Sequence, residues 1–114
     1  MKRMSISDIT EPEIIFAGIL DEELYKKHRD FFDKYSFSDS WCEKLAEALR
    51  EFHAVNDTWD IVKFARFFSE KYRVELDDVK LELALGMCNV KSLLAVELCI
   101  MAKQSSQGAH LGSG

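Results

Sequence analysis

The sequence predicts an all-α fold, a bundle of five or six helices closed by a C-terminal helical hairpin. Three observations carry this. One proline and five glycines occur in 114 residues, and Gly108, Gly112 and Gly114 fall at the C-terminal end, so the body lacks the turn formers of an all-β chain. Apolar residues recur at spacings of three and four through most of the chain. Helix-start residues stand before most of these runs. Residues 1–10 read as a polar lead-in, 11–103 as a single helical domain, and 104–114 as a flexible, linker-like tail or an expression remnant.

The first helix opens at Thr10-Glu-Pro-Glu. Thr10 can cap, Pro12 suits the first turn, and Glu11 and Glu13 favour the positive end of the dipole. Ile14, Ile15, Ala17, Gly18, Ile19 and Leu20 make this helix apolar nearly all round, so deep packing is expected, with Gly18 permitting close approach. Asp21 caps a second helix, Glu22 to about Lys34, with Leu24, Tyr25, His28, Phe31 and Phe32 on its apolar stripe. His28 reads as a satisfied, partly buried imidazole, because no second ligand residue is placed to join it. Phe37, in the connector, is expected to anchor in the core.

Ser40-Trp-Cys-Glu43 fits a capping box for the third helix, whose face is Trp41, Leu45, Ala48, Leu49 and Phe52. Glu43 and Glu47 read as part of a solvated face, since no histidine or further carboxylate completes a metal site with them. Asn56-Asp-Thr is turn chemistry, and the next helix is expected from about Thr58 to Tyr72. Trp59, Val62, Ala65, Phe68 and Tyr72 form a stripe expected to face the core. Ile61, Phe64 and Phe67 widen it beyond what one neighbour covers. That width fits either a central helix or an exposed patch, and Ile61, Phe64 and Phe67 are the candidate partner-binding residues. A fifth helix starts near Leu76 and stops at Gly86. Asn89 caps a sixth, and the short link predicts that the two lie antiparallel. This hairpin, Leu76 to Met101, is more apolar than two helices can hide on each other.

Charge and chemistry narrow the role. A net charge of −5 with interspersed acids and bases disfavours strong direct binding to nucleic acid. A helix-turn-helix over Ser40 to Tyr72 meets the same objection. The basic cluster Lys26, Lys27 and Arg29 reads as a solvated face. Cys42, Cys88 and Cys99 are odd in number and form no CxxC, so free thiols in a reducing, cytoplasmic setting are expected. The N-terminus has no signal-peptide core, and Val90 to Ala102, broken by Lys91 and Glu97, is too short to span a bilayer. No phosphate loop, HExxH or nucleophile elbow occurs, so no catalytic residue, cofactor or metal site is expected.

Residues Glu13 to Phe68 nevertheless carry a pattern. A first apolar helix ends in Ala17-Gly-Ile-Leu-Asp21. Phe37-Ser-Asp39 then precedes a helix with Leu45 and Ala48 in frame, and Asp60-Ile-Val62 opens the next. This resembles the N-terminal domain of DnaB-type replicative helicases, whose fold is similar to that of the primase C-terminal helicase-binding domain. Trp41-Cys-Glu-Lys and Asn56-Asp-Thr-Trp depart from that family's usual residues at the third helix and the following turn. The resemblance implies a non-catalytic interaction module of DNA replication. It would act by self-association, as a homo-oligomer, or by docking a replicative helicase, primase or loader. The alternative is a stand-alone helical adaptor or regulator, phage- or plasmid-encoded, that binds another protein.

Overall fold

The computed structural model describes the backbone of residues 9–113 and the side chains of residues 9–105. Helix α1, Glu11–Leu20, is the hub. Glu13 reaches back to its start, where the Thr10 backbone N–H and hydroxyl donate to Oε1 at 3.4 and 3.3 Å. Ile14 through Ile19 are all buried, because α2, α4, α6 and α7 pack around them. Asp21 ends α1 and begins α2, Glu22–Lys27: its N–H donates to the Ala17 carbonyl, and its Oδ1 accepts from the N–H groups of Glu23 and Leu24.

The helix expected over Glu22 to Lys34 is broken at His28, and α3 is Arg29–Lys34. His28 leaves helical geometry at φ −113°, ψ 33°, and its buried imidazole meets Glu97 of α7 at 2.9 Å. Glu11 secures the connector that follows. Its carboxylate accepts from the Ser38 hydroxyl at 2.9 Å, the Tyr35 hydroxyl at 3.0 Å, and the backbone N–H groups of Ser38 and Asp39. Burial works to raise the Glu11 pKa, but these hydrogen bonds prevail and hold it below the ordinary 4.5.

Helix α4, Ser40–Val55, is capped by Asp39 rather than Ser40; its Oδ1 accepts from the N–H groups of Trp41 at 2.8 Å and Cys42 at 3.1 Å. Glu43 makes a different contact from the expected box, accepting from the Phe37 N–H at 3.0 Å and from Arg50 at 3.2 Å. Cys42, Leu45, Ala46, Ala48, Leu49 and Phe52 are buried. Helix α5, Ile61–Tyr72, starts at the Asp60 cap, later than expected, so Trp59 precedes it. Arg73 ends α5 in the left-handed region at φ 54°.

Helices α6, Leu76–Cys88, and α7, Leu93–Ser113, complete the seven helices among the described residues. Gly86 does not stop α6. It lies inside the helix against Phe16, where a Cβ would come within 2.3 Å of the ring. The missing side chain lets α6 press onto α1. The expected antiparallel hairpin does not form: α7 turns 89° away from α6, and each packs on α1 instead of along the other. The link is tight, with the Asn89 and Val90 N–H groups bound to the carbonyls of Gly86 and Met87, and Ser92 accepting from the Ala95 N–H.

Both ends of the chain differ from the sequence reading. Ile9, assigned to the polar lead-in, is buried in the core, while residues 1–8 lie outside the described residues. The backbone of α7 stays helical past Gln104 to Ser113, and Gly114 lies outside the described residues. Among the described residues no single helix is long and apolar enough to cross a membrane, though α6 and α7 together reach that apolarity across their bend.

Candidate protein-interaction surface

The three candidate contact residues of α5 are not equivalent. Phe64 is 0 % exposed and belongs to the core with Ala65 and Phe68, so it is not available to a partner. Val62, expected to face inward, is 53 % exposed. Packed between α4 and α6, α5 turns the stripe Ile61, Phe64, Ala65, Phe68 and Tyr72 toward them. Phe64 meets the ring of Phe52 at 5.8 Å, and the half-buried Phe67 reaches the same ring at 5.9 Å. Ile61, also half-buried, lines a groove of about 170 Å³ between α5 and α6 with Val62, Ala65, Leu83, Ala84, Met87 and Lys80.

The uncovered apolar surface lies chiefly on α6 and α7. Leu81 and Leu85 of α6 and Leu94, Leu98 and Met101 of α7 are each between 45 % and 66 % exposed. They sit at spacings of three and four, so each helix carries a second apolar stripe opposite the one in the core. On α6 the inner stripe is Val79 and Leu83; on α7 it is Val96, Cys99 and Ile100. A helix that is apolar on both faces has only one face covered here.

The two outer stripes differ in charge. Asp77, Asp78 and Glu82 stand among the exposed residues of α6, and a groove of about 420 Å³ lined by Trp41, Val74, Asp78, Leu81 and Glu82 runs along it. The outer stripe of α7, Leu94, Leu98, Met101 and Ala102, carries no charge. The charged residues of α7 are turned elsewhere. Glu97 binds Lys27 and His28, each at 2.9 Å, and Lys103 sits 5.4 Å over the Tyr35 ring. The Lys27 and His28 hydrogen bonds hold the Glu97 pKa below its ordinary 4.5.

The nucleophilic and titratable side chains are built into the packing. Burial pushes the Cys42 thiol up to about 12 and raises Cys99, which keeps both protonated. His53 is stacked between Tyr25 at 4.2 Å and Trp59 at 5.2 Å, and burial lowers its pKa. The Tyr25 hydroxyl is buried without a hydrogen-bond partner and is pushed up to about 12, chiefly by that burial. Among the described residues no group of three or more histidines, cysteines or carboxylates is arranged to hold a metal ion.

The outer faces of α6 and α7 went unrecognised as separate surfaces in the sequence. Their signal was present: both helices lack a continuous polar face from Leu81 to Met101. These features define a class of object, an all-α globule with an unusually apolar exterior on its last two helices. No protein-family model, curated protein or solved structure matches the chain.

Proposed function

We propose that the chain is a non-catalytic protein-interaction domain whose contact surface is the outer side of α6 and α7. One observation carries the reading: Leu81, Leu85, Leu94, Leu98 and Met101 stand exposed on consecutive helices. Leaving large apolar side chains in water forgoes about 25 cal/mol per Å² of burial, and exposed apolar surface of this kind marks contact sites. The resemblance of residues 13–68 makes a replicative helicase, primase or loader the first partner to try. The stand-alone adaptor reading uses the same surface and differs in the partner.

Isothermal titration against a replicative helicase, a primase and a loader, with sedimentation velocity of the chain alone, tests the proposal. Association by either route is expected to fall in Leu85→Glu and Leu94→Glu, with helicity by circular dichroism unchanged. A chain that stays monomeric and binds none of the three overturns the replication reading. Association that survives both substitutions overturns the surface.

A further inference from the structure

The two outer stripes differ in charge, and the one on α6 borders a groove lined by carboxylates. We propose that the groove between α4 and α6 takes a basic amphipathic helix of a partner protein, an inference that rests on the interaction-domain reading above. Trp41, Val74 and Leu81 supply an apolar floor, and Asp78 and Glu82 line the same groove. The two carboxylates stand one helical turn apart, about 6 Å along the axis, which matches lysine or arginine at i and i+4 of an approaching helix. An apolar side chain of that helix would lie between its two cations, over Leu81 and Trp41.

The carboxylates are also uncommitted. Among the described residues Asp78 and Glu82 have no salt-bridge partner, whereas Glu22, Asp33, Glu43, Glu51 and Glu97 each hold a cation. A second copy of the chain is a poor occupant. Its net charge is −5, and its own cationic run is engaged, Lys26 with Glu22 at 3.3 Å, Lys27 with Glu97 at 2.9 Å and Arg29 with Asp33 at 3.7 Å.

The test uses a dye-labelled synthetic helix of leucine and lysine, about 14 residues or roughly four turns long, and its leucine–glutamate counterpart. Fluorescence anisotropy gives affinity, and the indole N–H resonance of Trp41 gives location. The lysine peptide is expected to shift that resonance and to bind Asp78→Lys/Glu82→Lys about tenfold or more weakly. The control Glu23→Lys/Asp30→Lys has the same net charge, with the changes on α2 and α3, and should lose no more than about twofold. The glutamate peptide should bind only the reversed groove. Equal losses in the two double variants overturn the proposal, as bulk charge would then be the cause. So does a wild-type dimer that dissociates in Asp78→Lys/Glu82→Lys, since a second copy then fills the groove. Shifts confined to α7, or no peptide binding at all, overturn the groove assignment. The helicase, primase and loader titrations decide the broader reading separately.

Discussion

Helix α1 and the pair α6–α7 carry apolar residues on opposite faces and meet opposite fates. Helix α6 differs in also carrying exposed Asp77, Asp78, Lys80 and Glu82. In α1, four helices close over Ile14 to Ile19, and only Leu20 of its large apolar side chains is exposed. In α6 and α7 the core takes one stripe and leaves Leu81, Leu85, Leu94, Leu98 and Met101 in water. Position in the packing order separates them. Helix α1 has α2, α4, α6 and α7 packed around it, while α6 rests on α1 and α5, and α7 on α1, with nothing among the described residues over their outer stripes. Apolar residues on both faces of a helix therefore say that it needs covering, and the fold decides whether the chain itself supplies the cover.

The comparison is most easily broken at the hub. Ile15→Ala should cost about 2–5 kcal/mol in urea denaturation, because a fully enclosed site has little room to collapse. Phe64→Glu, which places a carboxylate in the same core, should abolish the cooperative transition. A near-neutral Ile15→Ala would show that the hub is no better packed than the periphery.

Gly86→Ala tests the seam between the two regions. Its Cβ would collide with the Phe16 ring at 2.3 Å, so a loss of about 1–3 kcal/mol is expected. Phe16→Leu should cost less in the Gly86→Ala background than alone, a non-additivity readable from a double-mutant cycle. Strict additivity would mean that the contact does not hold α6 to α1.

Acid gives a smaller and graded effect. His53 has its folded pKa lowered by burial, so the folded state binds a proton less readily than the unfolded chain. Its contribution is fully present above the ordinary value of 6.5 and is lost as pH falls through the folded value. Glu97 behaves alike from a lower starting point: its stabilisation stands above the ordinary 4.5 and fades below it, loosening the tie between α7 and Lys27–His28. Thermal melts across this range should fall in two steps. His53→Phe should remove the upper step alone.

Leu85→Ser and Leu98→Ser should change stability by no more than about 0.5 kcal/mol, since neither side chain is in the core. Association should weaken all the same. A large loss of stability at either position would place these leucines in a packed interior and erase the contrast with α1.

The helices themselves were legible in the sequence, and so were several of their starts. Thr10-Glu-Pro, Asp21 and Ser40 with its neighbours stand within a residue of the observed boundaries. Periodicity also identified most of the α4 face. It failed at α5, where two apolar stripes overlap and a helical wheel has no means of ranking Phe64 against Val62. Packing against α4 and α6, not the apolar pattern alone, sets which one turns inward. The break at His28 was hidden, and so was the partner its imidazole meets there, a carboxylate 69 residues away, Glu97. Gly86 was misread for a related reason: a glycine that ends a helix and one that admits a ring from another helix look the same in one dimension. The hairpin failed with it, since the docking of α6 on Phe16 and the tight link at Asn89 send α7 across α1.

Of the three cysteines, Cys88 alone is exposed. It lies on the same side of α6 as Leu81 and Leu85, seven and three residues further on respectively. The thiols of Cys42 and Cys99 are buried and raised, so a thiol-directed reagent should select one address without any engineering. A fluorophore attached there would ride at the edge of the outer α6 stripe. The wild-type chain thus comes with its own reporter, one that would dim or brighten as a visitor settles beside it.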